Sequence, residues 1–274
     1  IWMGPSDGNA TRQEGTSHSK GRCNPMIRSI VFVAAFYIVT ALFLLLGSPL
    51  LLAPRSWAMA GLRAHGHATL WLMRWIVGTK MEVRGREHLP DGAYLVAAKH
   101  QSAWDTIALT TVFPDPALVM KAELLKIPVY GWFCAKFGMI PIQRETGPSA
   151  LRQMLKAARD RADDQRQILV FPEGTRRQPG APPDYKPGIL LLYDALQRPC
   201  VPVALKSGHF WPRNSLIRRP GKIVVDILPP LPAGLPRKAF RDELIHAIEG
   251  RTAELLCEAT GATCDPAAKP AAGE

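Results

Sequence analysis

Paired cysteines are missing from this chain. Its cysteines are Cys23, Cys134, Cys200, Cys257 and Cys264, an odd number with no C-x-x-C pair. Neither a zinc site nor a disulfide framework is expected, and a reduced compartment fits best. A G-x-S-x-G elbow is also absent, so no serine or cysteine stands out as a covalent nucleophile. There is no P-loop and no G-x-G-x-x-G turn. No RRM-like aromatic pattern, zinc-finger spacing or basic zipper occurs, so nucleic acid is not an expected partner. Acidic residues are scarce: 23 against 34 Lys and Arg, a formal net charge of +11. Such a surplus suits a polyanionic partner, and the apolar segment described next makes that partner an anionic lipid surface.

Residues 29–54 carry no charge, and 30–46 are almost continuously apolar. Crossing the hydrocarbon core as a helix takes about 20 residues. A cleaved signal peptide is the rival reading: its apolar core is shorter, yet Ala58-Met59-Ala60 resembles a cleavage site. Arg28 precedes the run and Arg55 and Arg63 follow it, so the charge rule fixes no orientation, and a re-entrant or in-plane pair fits as well as a span. Residues 57–78 mix Trp57, Trp71 and Trp75 with Arg63, His65 and Arg74. That mixture suits a bilayer interface, or a core helix of the folded domain.

The expected organisation is a disordered tail over 1–25, a membrane anchor over 26–78, a folded domain over 79–262 and a disordered tail over 263–274. Met26, directly before the apolar run, reads as the natural start. From about residue 80, strands expected at 80–84, 93–98, 117–120, 139–143, 167–171, 200–206 and 222–228 alternate with helices at 103–113, 123–137, 148–163, 188–196 and 237–258. This alternation predicts a layered α/β domain with a mixed, largely parallel sheet.

One apolar strand ends at Lys99-His100-Gln101-Ser102-Ala103-Trp104-Asp105, where a helix starts. Strand ends beside helix N-termini are where ligands bind in open sheets. An imidazole at His100 can reach a substrate hydroxyl, and Asp105 can hold its other ring nitrogen. The same spacing also reads as a helix capping box. A second strand delivers Phe171-Pro172-Glu173-Gly174-Thr175-Arg176. Gly174 permits a tight turn, Thr175 offers a hydroxyl, and Arg176 offers a fork suited to a phosphate monoester. Glu173 can orient Arg176 or a substrate hydroxyl. Lys121 and Arg144 follow two further strands, so three cations could converge on one anionic head group. Pro202, near the start of its strand, is read as a wall of the acyl or donor path, or as plain sheet structure.

Together these segments resemble the glycerolipid acyltransferases of the 1-acyl-glycerol-3-phosphate type. His100-x4-Asp105 is similar to that family's first block. Gly-Met-Ile-Pro-Ile-Gln-Arg at 138–144 is similar to the second, with Arg144 at its basic position and a departure from the Phe/Asp-containing form of many members. Phe-Pro-Glu-Gly-Thr-Arg at 171–176 matches the third, and Val-Pro-Val at 201–203 resembles the fourth. The resemblance covers roughly 57–228. It implies transfer of an acyl group from acyl-CoA or acyl-acyl carrier protein to a lysophospholipid hydroxyl, with His100 and Asp105 catalytic and Lys121 helping to hold the phosphate. It implies neither cofactor nor metal. It also implies an N-terminal membrane-associated two-helix segment and a site facing the cytoplasm, in a bacterium at the inner membrane. Another acceptor such as a lyso-ornithine lipid, a hydrolase using water, and a non-catalytic lipid-binding protein are the alternatives.

Overall fold

The computed structural model describes residues 24–143 and 147–260. Helix α1 spans Pro25–Leu46. Asn24 caps it, its side-chain oxygen accepting from the Met26 N–H at 3.0 Å, and Pro25 takes a first-turn position where no donor is needed. The helix stops at Gly47, because Pro49 cannot continue it. Helix α2, Arg55–Leu72, runs into a π-helical turn, Met73–Val77, that Gly78 closes at φ +89°. The two helices pack side by side, and Thr40 Oγ1 lies 3.0 Å from His65 Nε2. The expected tails fall outside the described residues, except Asn24 and Pro25, which cap and open α1.

The remaining elements are β1 Thr79–Arg84, β2 Leu95–Ala98, α3 Ala103–Val112, β3 Pro116–Lys121, α4 Tyr130–Lys136, β4 Ile140–Ile142, α5 Gly147–Asp163, β5 Gln167–Val170, α6 Gly188–Leu196, β6 Cys200–Leu205, α7 Ser207–Phe210, β7 Gly221–Ile227 and α8 Arg237–Thr260. The strands form one sheet in the order β1-β7-β6-β2-β5-β3-β4. Every pairing is parallel except β6 with β7. The sheet is thus mixed and largely parallel, as the alternation of elements predicts.

Strand β2 shows why the core has two halves. Side chains alternate across a strand. Val96 and Ala98 join a cluster with Phe32, Met73 and Trp104, beneath α1, the π turn and α3. Leu95 and Ala97 join Met154, Ile189, Leu192 and Phe240, beneath α5, α6 and α8. A strand covered on both faces reads as a near-continuous apolar run, and β2 reads Leu-Val-Ala-Ala.

The helix expected over 123–137 is broken into a 3-10 turn, Ala122–Lys126, and α4. Pro128 lacks the N–H a continuous helix needs, and Val129 turns the chain at φ +62°. The amphipathic reading of 57–78 resolves by face: Ala58, Met59, Gly66 and Thr69 are buried, while Trp57, Trp71 and Trp75 are exposed. Cys134 and Cys200 are buried free thiols. Cys257 is disulfide-bonded, which departs from the expectation of thiols alone.

Arg166, 1% exposed, ties the sheet edge to α2. Its guanidinium donates to the carbonyls of Gly138 at 3.2 Å, Pro116 at 3.2 Å and Phe137 at 2.9 Å. Its Nε lies 3.3 Å from Asp115, which Arg55 of α2 holds through two bonds of 2.8 and 2.7 Å. Arg166→Leu strands those buried carbonyls. It is expected to cost about 3–5 kcal/mol in denaturant unfolding.

Candidate active site

The C-terminal ends of β2 and β5 lie side by side, Ala97 opposite Val170. Each strand releases one motif there. His100 follows β2, and the 171–176 segment follows β5. Lys121 closes β3 at the same end of the sheet.

His100 Nδ1 lies 2.9 Å from Asp105 Oδ2. Asp105 is completely buried. Its Oδ2 also accepts the N–H groups of Gln101 at 2.7 Å and Ser102 at 2.9 Å. The Ser102 hydroxyl accepts from the Trp104 N–H at 3.1 Å and lies 3.3 Å from Asp105 Oδ1. Ser207 Oγ, 2.9 Å from Ser102 Oγ, completes the set. The capping box and the histidine partner are therefore one carboxylate in two roles. With a carboxylate oxygen as its neighbour, Nδ1 is the ring nitrogen placed to donate. Nε2 is left with a lone pair. The His100 ring stacks on Phe171, centroids 3.9 Å apart and planes inclined by 16°.

Gly174 makes the turn at φ +63°, and its N–H donates to the Phe171 carbonyl at 2.9 Å. The Arg177 N–H donates to the His100 carbonyl at 2.8 Å, which sews the two motifs together. His100, Lys121, Glu173, Gly174, Thr175 and Arg176 all line one cavity of about 900 Å³. Its depth is apolar, with Leu118, Met120, Ile142, Met154, Ile189 and Leu192 among the walls. Arg144 lies outside the described residues, although its neighbour Gln143 lines the cavity. Lys121 is half exposed, 3.4 Å from Glu123.

Two expectations shift. Pro202 sits within β6, buried and paired with Ala97 of β2. It is not among the residues that line this cavity. Proline fits there because its carbonyl still accepts, here from the Leu228 N–H at 3.0 Å. Glu173 reaches the lining, but its carboxylate is engaged elsewhere. Oε1 accepts from Lys99 Nζ at 2.8 Å, and Oε2 from the His100 N–H at 3.4 Å. The sequence reading also missed Lys186 and Arg213, which add charge to the lining. Arg213 donates to the Arg176 carbonyl at 3.1 Å. Neither lies near a recognisable motif, so only a tally of cations could have flagged them. Among the described residues, no group of three or more His, Cys, Asp or Glu is placed to hold a metal.

A histidine paired with a buried carboxylate thus lines a pocket that carries both apolar and cationic side chains. A family model described as Acyltransferase matches residues 80–206. The 1-acyl-sn-glycerol-3-phosphate acyltransferase of Pseudomonas aeruginosa is 35% identical over 189 residues, covering 69% of this chain and 74% of that one. The alpha form from Homo sapiens is 31% identical over 217 residues, covering 77% and 75%. The crystal structure of the 1-acyl-sn-glycerophosphate acyltransferase from Thermotoga maritima superposes with a TM-score of 0.72 at 22% identity, over 85% of this chain and 98% of that one, and shows the same fold. The chain belongs to the 1-acyl-sn-glycerol-3-phosphate acyltransferase family.

Burial raises the Glu173 carboxyl above the usual range; Lys99 opposes the shift and the nearby Glu249 carboxylate adds to it. Between the ordinary and the raised value, the folded chain binds more protons than the unfolded one. That contribution to stability is present at low pH and is lost as pH rises through the raised value. In urea titrations across pH, the wild type should show this decline, and Glu173→Gln should flatten it.

Proposed function

We propose that the chain transfers a fatty acyl group from acyl-CoA or acyl-acyl carrier protein to the sn-2 hydroxyl of 1-acyl-sn-glycerol-3-phosphate, giving phosphatidic acid. The observation that carries this reading is His100, held by buried Asp105 with Nε2 free, at a cavity that pairs an apolar depth with a cationic rim. Lys121, Arg144 and Arg176 bind the phosphate, with Arg213 and Lys186 adding to the field. The acyl chains occupy the apolar depth.

Nε2 removes the hydroxyl proton as the oxygen attacks the thioester carbonyl. The tetrahedral intermediate expels the thiolate, which takes that proton from the imidazolium. No covalent enzyme intermediate forms, and the acyl donor is the only co-substrate. Asp105 sets the tautomer and stabilises the imidazolium. General base catalysis contributes about 10²–10⁴-fold, and alignment of two bound substrates several kcal/mol more. The N–H groups of Gln101 and Ser102 are engaged by Asp105, and that of Trp104 by Ser102. They do not serve the oxyanion, which falls to donors on the cationic side.

Helix α1 is long and apolar enough to cross a membrane. Ser29 and Phe32 near its start are buried, and Phe32 meets Trp211 edge-on, centroids 5.3 Å apart. Farther along, Tyr37, Ile38, Leu42, Leu45 and Leu46 are exposed, and Leu52 in the turn is 94% exposed. These residues enter the bilayer, with Trp57, Trp71 and Trp75 at the interface. The anchor comprises 26–78 and the acyltransferase domain 79–262, on the cytoplasmic face of a bacterial inner membrane.

His100→Ala is expected to abolish turnover in mixed micelles while binding of 1-acyl-sn-glycerol-3-phosphate is retained. Turnover near the wild-type rate would sink the mechanism. Crossing both thioester donors against lysolipids with and without phosphate identifies the acceptor: a preference for a phosphate-free lysolipid would overturn this reading. Replacing Trp57, Trp71 and Trp75 together by Ser should weaken partition to anionic vesicles about 10-fold or more in flotation, because binding scales with buried apolar area.

A further inference from the structure

Lys99 has no part in the reaction as written, yet its side chain is only 2% exposed. An ammonium has three N–H groups, and here three carboxylate oxygens lie 2.8 Å away: Glu173 Oε1 and both oxygens of Glu249. The Tyr185 hydroxyl donates to Glu249 Oε1 at 3.0 Å. The network joins the end of β2, the turn after β5, the segment before α6, and α8. Its output is main-chain geometry. Glu173 Oε2 receives the His100 N–H, while the His100 carbonyl is held by the Arg177 N–H. A carboxylate buried as deeply as Glu173 keeps its charge only beside a partner. Without Lys99 it would protonate or withdraw, and one of the two bonds on the His100 main chain would go.

We propose that Lys99, Glu249 and Tyr185 are positioning residues, whose charge network with Glu173 fixes the His100 main chain and hence the direction of Nε2 into the cavity. Glu249 lies on α8, beyond the residues 80–206 matched by the family model. The helix that closes the domain is then part of the catalytic arrangement as well as a cover for the sheet. The proposal rests on His100 acting as the general base.

The test compares Glu249→Gln, Lys99→Met, their double variant and Lys99→Arg, each as full chain in mixed micelles. It reads kcat, both KM values, the thermal midpoint and the pH profile of kcat/KM. A small misplacement of a reacting group can cost about 100-fold. The expected loss in kcat is about 10-fold for Glu249→Gln, which keeps size and an acceptor, and about 100-fold for Lys99→Met. Both KM values should stay within about 2-fold, since binding groups are untouched. Lys99→Arg should recover part of kcat. The double variant should be no worse than Lys99→Met, as expected for residues acting as one unit.

Glu173 is faced by Lys99 from β2, by Glu249 from α8, by Tyr185 from the segment before α6, and by the His100 N–H. In Lys99→Met it loses its one cation, and the acid limb of kcat/KM should move to higher pH. A purely structural network would lower the thermal midpoint and leave kcat per folded molecule and the pH profile unchanged, and that result would overturn the proposal. So would losses confined to KM. A fully active His100→Ala would instead overturn the general-base reading, whatever the network variants do.

Discussion

The Asp105 carboxylate is shut off from water, and both of its oxygens have partners. One oxygen takes the imidazole of His100 together with the N–H groups of Gln101 and Ser102. The other faces the Ser102 hydroxyl. Because the same carboxylate caps α3, the helix cannot start elsewhere without releasing the histidine, and the histidine cannot turn without unsettling the cap. Buried as it is, the group tolerates little displacement, since a polar group stripped of its partners there is costly. The rest of the site is arranged around that fixed point. Phe171 stacks on the ring from the neighbouring strand end.

Sheet order does the remaining assembly. The strands carrying the two motifs are about seventy residues apart in the chain, yet parallel pairing makes them neighbours. β3 and β4 extend the same edge and furnish the cavity floor and Lys121. On the opposite sheet face α2 packs against α3, the helix that Asp105 caps. The helical pair that carries the exposed apolar residues is thus one layer from His100.

Much of this was legible in the chain itself. The seven strands overlap the expected runs, and the central ones, β2, β5 and β6, are legible because strands covered on both faces read as near-continuous apolar runs. The histidine, its aspartate and the 171–176 turn are local patterns, each complete within a few residues. Where local pattern failed, the reason lies in geometry. The broken helix over 123–137 turns on the missing N–H of Pro128. That the strand of Pro202 is central was also not legible, since strand order is not written in any one strand.

The sequence by itself determined the fold class, the family and the two motifs, since periodicity and short-range spacing are properties of neighbouring residues. It also left His100-x4-Asp105 divided between a cap and a catalytic pair. Only the tertiary structure brought the two together, by placing one carboxylate both on the helix N-terminus and on the imidazole. It alone decided that Glu173 faces Lys99, and that Glu249, 150 residues along the chain from Lys99, takes the remaining donors of that ammonium. A buried ion needs partners in space, and which distant segments supply them depends on how the layers close.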